Sequence, residues 1–355
     1  MYRYRILFYY QPNFTDSVSD EIQAIYMKIH KFRIPTVFLC LILGMVGCTQ
    51  AVTPTTKSSL ITVQLSWTNQ AEFAGLYAAD QLGYFEEESL KVSFLEGGPE
   101  VDFITPVIDG RAQFGIAQPA DVILARANNL PVRSIAAIYR RNPIVFFALA
   151  DSGITRPQDF VGKKIRSTLT ADQMLRAMMA RVGIDAGLYE TEYLPSDVSL
   201  FVSGKVPVWA GFINGLALEI KRAGYKLNII YPDDYGIHFY GDVLITTDDL
   251  ILNDPDLVYR FTKAVLKGWT YAVENPQNVG SFIQDYNPDT DPEVEIDKMT
   301  ASIPFINIGE NYIGWMKPEV WIAMEKTLRE QGVLAGTLDI EKVYTRQFLE
   351  EIYRK

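Results

Sequence analysis

Residues 65–92 read LSWTNQAEFAGLYAADQLGYFEEESLKV: the end of an apolar strand, a polar knot, a small-residue helix, and the start of a second strand. The strand candidates are Ile61–Trp67 and Leu90–Leu95, and the helix candidate between them is Ala74–Leu82, stopped by Gly83. Two strands joined through a helix form a βαβ unit, whose strands lie parallel in one sheet. In such sheets ligands gather beyond the carboxyl ends of strands, which is where the knot around Trp67–Phe73 falls.

The pattern continues outward. A Gly97-Gly98-Pro99 turn leads to a predicted helix over Val101–Asp109, a strand over Gln113–Ala117 and a helix over Pro119–Ala127. Arg133–Ala150 is long and apolar enough for one or two paired strands. A second block then begins at Gly162–Arg166, with a helix over Ala171–Val182 capped by Thr168 or Thr170. Its further strands are Tyr189–Leu194, Val206–Phe212 and Lys226–Tyr231, and from Asp254 onward the chain reads as helix. The expected class is α/β, two doubly wound lobes joined by two crossovers near Ala148–Gly153 and Gly241–Thr247. Residues 60–150 and 245–355 make lobe 1, and residues 151–244 make lobe 2.

The N-terminus carries an address. The basic stretch Met27–Arg33 precedes the apolar run Ile34–Val46 and then Gly47-Cys48. A bilayer span needs about 20 apolar residues, so this run is too short to remain in a membrane. The order is that of a lipoprotein signal peptide with Cys48 as the lipidated residue. Residues 1–47 are then an over-annotated start, with translation from Met27, plus the signal, and residues 48–59 are a flexible tether. The body is expected at the extracytoplasmic face of the cell membrane, held by lipid.

Composition narrows the function. The net charge of −10 over 355 residues argues against nucleic acid as a partner. The two cysteines are Cys40 and Cys48, and the two histidines are His30 and His238, so the predicted body keeps one histidine and no free thiol. That removes most hydrolase and metalloenzyme readings; no catalytic residue, metal or cofactor is expected.

Binding candidates cluster at strand ends. Trp67 either stacks on a flat ring or belongs to the core. Gln70, Glu72 and Phe73 fill the next turn, where Glu72 either meets the ligand or caps the helix. Gln118 and Asp121 open a helix after the apolar strand FGIA; Asp121 alternatively complements the helix dipole. Tyr139 interrupts an apolar run beside Arg140 and Arg141, which read as a solvated face or an inter-lobe contact. Ser167 and Thr168 stand where an oxygen-binding loop would, without the glycines of a phosphate cradle. Trp209, Phe212 and Asn214 close another strand, and Tyr235, Tyr240 and Asp242 occupy the second crossover. The set is aromatic and mostly neutral. It suits a flat, uncharged, hydrogen-bonding ring better than an anion, which demands a cationic clamp.

From about Leu60 to Trp321 the chain resembles the periplasmic substrate-binding proteins of vitamin and vitamin-precursor ABC transporters. These are relatives of the nitrate, sulfonate and taurine binders and of the yeast thiamine-pyrimidine synthase. The runs that carry the likeness are Trp67-x(7)-GLYAA, LGYFEEESLKV (82–92), DGRAQFGIAQPADVILARANNLPV (109–132), VWAGF-x-N (208–214), DDYGIHFYGDVLITTDD (233–249) and GWTYAVENPQ (268–277). The resemblance implies a type II periplasmic-binding-protein fold, a monomer, and handover of a small molecule to a permease with its ATPase. Pyrimidine-binding relatives commonly have His where this chain has Phe73, and a Glu-Pro pair where it reads Leu216-Ala217. The resemblance therefore implies the riboflavin-binding branch, with formylaminopyrimidine or hydroxymethylpyrimidine as the alternative ligand. A pyrimidine-synthase-like enzyme is the remaining alternative, and the synthase's cysteine-rich motif is absent here.

Overall fold

The computed structural model of the chain describes residues 59–98, 101–195, 197–309 and 312–354. The predicted signal segment and Cys48 lie outside the described residues.

Among the described residues the strands are β1 (Ser59–Gln64), β2 (Leu90–Leu95), β3 (Phe114–Ala117), β4 (Val132–Ala137), β5 (Ile144–Leu149), β6 (Lys164–Arg166), β7 (Glu190–Glu192), β8 (Val208–Phe212), β9 (Leu227–Ile230) and β10 (Val243–Thr247). They form two five-stranded sheets, ordered β2-β1-β3-β10-β4 and β7-β6-β8-β5-β9. In the first, β1 runs parallel to β2 and β3, while β10 runs antiparallel to β3 and β4. The second repeats the plan: β6 is parallel to β7 and β8, and β5 is antiparallel to β8 and β9. Each time the chain changes sheet, its first strand is inserted between two others of the new sheet. The central strands are apolar throughout, because both of their faces are covered: Phe114, Ile116 and Ala117 of β3 and Val145, Phe146 and Phe147 of β5 are all buried.

Both crossings differ from expectation. Val132–Leu149 is two strands in two different sheets, so the first crossing lies between Ala137 and Ile144, not at Ala148–Gly153. The apolar run hides it, since Tyr139 and Arg140 are as buried as the strands that flank them. The second lies between Ile230 and Val243, and Val243–Thr247 is β10 itself. The two crossing segments lie against each other: Gly241 N donates to Tyr139 O at 2.8 Å and Asn142 Nδ2 to Tyr240 O at 2.7 Å. A Cβ on Gly241 would stand 2.6 Å from Tyr139 Cβ, so only glycine fits there. A third difference is the predicted helix over Val101–Asp109, which is helical only over Thr105–Ile108, with Asp102 Oδ1 accepting from the Ile104 and Thr105 N–H groups, each at 2.9 Å.

The small-residue helix Ala74–Gln81 is explained by its neighbour, the long helix Pro255–Glu274. A Cβ on Gly268 would lie 2.1 Å from Gly75 O, and one on Gly75 would lie 2.2 Å from the Trp269 ring. The two helices pack backbone to backbone, with Trp269 closing over Gly75. This fixes the helix that follows the polar knot. The helix Pro292–Ile306 packs on the same lobe, against the Ala71–Phe73 turn.

Candidate functional site

The polar knot is held open as a loop by its own side chains. Asn69 accepts from Tyr77 OH at 2.7 Å, and its backbone N–H donates to Glu96 Oε1 at 2.9 Å. Gly97 would put a Cβ 2.4 Å from Leu65 O, so glycine there lets the β2 exit lie against the β1 exit. The single 3₁₀ turn Ala71–Phe73 follows. Its first N–H, that of Ala71, donates to Glu295 Oε2 at 2.7 Å; Glu295 is 1% exposed and also takes Lys298 Nζ at 2.9 Å and Thr290 Oγ1 at 3.0 Å. A charge-satisfied carboxylate thus pins the turn that presents Glu72.

Glu72 accepts from Gln70 Nε2 at 2.8 Å and from Ser66 Oγ at 3.4 Å. The carboxyl of Asp242 lies close enough to act on it electrostatically. Asp242 stands directly before β10, in register with Gln118 directly after β3, because Val243 pairs with Ala117. Gln118 Nε2 donates to Asp242 Oδ1 at 2.5 Å, while the backbone carbonyl of Asp242 accepts from Ile138 and Tyr139 N–H. Burial drives both carboxyls upward from the ordinary range; Glu72's charge adds to the rise at Asp242, and hydrogen bonds and Lys298 offset part of it at Glu72. Burial of two neighbouring carboxyls favours one shared proton over two charges.

From the second lobe comes Asn214, two residues past β8 and 6% exposed. Its Nδ2 donates to Ser302 Oγ at 2.6 Å. Tyr139 OH donates to the same oxygen at 3.2 Å, and Ser302 passes its own proton to Lys298 O at 2.8 Å. Burial, then the charge of Asp242, holds the Tyr139 hydroxyl far above its ordinary value, so it stays a donor. Tyr139 therefore lies between the carboxyl pair and the Asn214–Ser302 contact.

The structure thus assembles Gln70, Glu72, Gln118, Tyr139, Asn214 and Asp242. It places the other candidates elsewhere. Trp67 is 40% exposed at the rim of the knot. Phe73 is 1% exposed and packed in the core. Trp209 is fully buried in the second lobe, against Phe201, with the Arg166 guanidinium over its ring at 5.3 Å. Phe212 ends β8 partly buried. Ser167 is buried and donates to Thr168 O, and Thr168 caps the helix Leu169–Arg181 by accepting from Ala171 N at 3.2 Å. Tyr235 lies in the 3₁₀ turn Pro232–Tyr235, and Tyr240 accepts from Lys317 N at 2.6 Å inside the first lobe. Asp121 sits in the first turn of its helix and is pushed up to about 6 by burial alone. Arg140 is 6% exposed rather than solvated, and Arg141 joins Asp233 at 2.7 Å.

Three residues that matter here, Glu295, Lys298 and Ser302, escaped the sequence reading. Their spacing of three and four places them on one face of the helix Pro292–Ile306, the face that also buries Met299. Polar residues sharing a stripe with core residues were the available signal.

Chemically the cluster is rich in acceptors and acidic, with Glu72, Asp242 and Glu295 set against Lys298. Among the described residues no group of side chains is arranged to hold a metal ion.

Comparison with solved structures gives the fold. The periplasmic aliphatic sulphonate binding protein SsuA from Escherichia coli superposes with a TM-score of 0.65 at 13% identity, over 81% of this chain and 93% of that one. Among curated relatives, the riboflavin-binding protein RibY of Chloroflexus aurantiacus is 23% identical over 352 residues, 90% of this chain and 98% of RibY. The formylaminopyrimidine-binding protein of Halalkalibacterium halodurans is 31% identical over 258 residues, 69% of this chain and 76% of that protein. The NMT1/THI5-like family model matches residues 70–279, a span that contains both crossings and all six residues of the assembled cluster, and the chain belongs to that family.

Proposed function

We propose that the chain is the extracytoplasmic solute-binding component of an ABC importer, that it catalyses no reaction, and that its solute is riboflavin. The observation that carries this reading is the enclosed, acceptor-rich cluster of Glu72, Gln118, Asp242 and Asn214, drawn from both lobes. A neutral ring that offers N–H and O–H donors satisfies it. A sulfonate or nitrate meets carboxylates there, and the cations nearby are engaged: Lys298 with Glu295, and Arg166 with the carbonyls of Leu194 and Ala210. The likeness to RibY over nearly its whole length supports riboflavin as the ring.

The lobes, redrawn around the two crossings, close on the solute and release it when a permease separates them. The body works as a monomer, tethered to the membrane surface through lipid on Cys48, and its permease is driven by a cytoplasmic ATPase.

Formylaminopyrimidine is the second reading, and the Glu72–Asp242 pair favours it. A carboxyl pair that holds one proton presents both a donor and an acceptor to an amino-substituted ring edge. It supplies, from the first lobe, the carboxyl that Leu216 does not. Titration of the purified protein with riboflavin separates the two readings. Quenching of flavin emission at micromolar concentration or below is expected; no quenching, together with a thermal shift on adding formylaminopyrimidine, overturns the first reading in favour of the second.

A further inference from the structure

Gln118 and Asn214 share a feature that neither residue type requires. Each is a carboxamide whose N–H₂ end is committed inside the protein. Gln118 Nε2 donates to Asp242 Oδ1 at 2.5 Å. Asn214 Nδ2 donates to Ser302 Oγ, and here the direction is forced: Ser302 spends its single proton on Lys298 O, so toward Asn214 and Tyr139 it can only accept. The opposite ends, Gln118 Oε1 and Asn214 Oδ1, are enclosed and have no hydrogen-bond partner in the protein. An enclosed acceptor without a donor is costly, and natural proteins retain one where a function uses it. Tyr139 stands beside both, bonded to Ser302 and within the field of Asp242.

We infer that the site reads hydrogen-bond donors on its ligand through Gln118 Oε1 in one lobe and Asn214 Oδ1 in the other, and that Ser302 is the positioning residue that fixes Asn214 as an acceptor. An amide left free would rotate and accept either a donor or an acceptor from the ligand. One held by Ser302 cannot. The ligand class this selects is a planar heterocycle with an N–H or O–H donor, on the ring or its side chain, toward Gln118, and a second, N–H donor toward Asn214, such as a ring imide or an exocyclic amine. Analogues alkylated at that donor are rejected, because they leave the carbonyl unpaired and bring a methyl group against it. This inference rests on the solute-binding reading above and adds the hydrogen-bond polarity of the site to it.

The test compares riboflavin with N3-methylriboflavin on the full-length protein in detergent, for wild type, Ser302→Ala and Ser302→Thr. Wild type should bind the methylated flavin at least about tenfold more weakly. Ser302→Ala should shrink that ratio to within about threefold, and Ser302→Thr, which keeps the hydroxyl, should restore it. A mere packing defect would weaken both flavins alike and leave the ratio in place, which would overturn the role of Ser302. If Ser302→Ala does not fold, Asn214→Ala is measured instead and should also erase the ratio. Equal binding of the two flavins by wild type sinks the inference while the riboflavin reading stands. If wild type ignores riboflavin, that reading falls, and the same ratio is measured for formylaminopyrimidine against its N-methylated amine, where equal binding sinks the inference.

Discussion

Asn214 Nδ2 lies 2.6 Å from Ser302 Oγ, which ties the end of a second-sheet strand to a helix packed on the first lobe. A second tie crosses nearby, the ion pair of Arg222 and Asp297. The two differ in burial: Ser302 is wholly enclosed, whereas the side chains of the ion pair are 39% and 46% exposed. Asp297→Asn should therefore change ligand affinity only a few-fold, as exposed pairs contribute about 1 kcal/mol or less. The change should appear in the dissociation rate and fade in high salt. Stopped-flow release at two ionic strengths measures this; a loss of a hundredfold would mean the pair is a principal latch.

The carboxyl pair sets a pH dependence of stability. Glu72 and Asp242 are raised in the folded protein, so the native state holds more protons than the unfolded chain above the ordinary carboxylate range. Their contribution is complete in acid and is lost as pH rises through the raised values. Melting temperature in the absence of ligand should fall for wild type as pH rises above the ordinary carboxylate range. Glu72→Gln keeps a hydrogen-bonding side chain without the charge and should flatten that fall. A steeper fall in the variant would contradict the shared proton.

Asp121 offers a narrower window. Burial moves it from 3.8 to about 6 with no charged partner. Its stabilising contribution is present below pH 3.8 and disappears as pH climbs to about 6. Asp121→Asn should remove this part of the acid-range slope, seen by urea melts at pH 4 and pH 6.5. Ligand affinity at pH 7 should change little, since Asp121 is not among the assembled residues.

Close helix packing makes a prediction independent of the ligand. Gly268→Ala places a methyl group 2.1 Å from Gly75 O, and backbone must move to admit it. The expected loss is roughly 1–3 kcal/mol or more of unfolding free energy. Denaturant melts of the variant check this; an unchanged midpoint would mean that the two helices can separate at no cost.

The anchor is tested by Cys48→Ser. The variant should leave the membrane fraction for the soluble extracytoplasmic fraction, while retention in the membrane would point to another attachment.

Much of the molecule is legible from sequence where a residue has a strong local reason for its place. The helix Pro119–Ala127 shows its full bounds, because proline opens it and the apolar strand before it ends cleanly. Gln118 and Asp242 are visible as polar residues that bracket buried strands. The sheet change between Ala137 and Ile144 is not visible, since a buried crossing has the same composition as a buried strand. Aromatic rings mislead for the same reason. Trp209 and Phe73 look like stacking surfaces, and sequence does not say which side of a strand or turn faces the other lobe. Ser302 is legible least of all, because its role depends on three partners far apart in the chain.

The insertion of β10 between β3 and β4 has a consequence for how the protein is made. A growing chain that has emerged only as far as Gly241 owns β1 to β4 but not the strand that joins β3 to β4, so the missing piece is an interior strand of its first sheet. Until residues 243–247 arrive, that sheet stays split, and the nascent polypeptide has no finished lobe around its N-terminal end. Late completion of this kind postpones closure of the first lobe until the second crossing has been made.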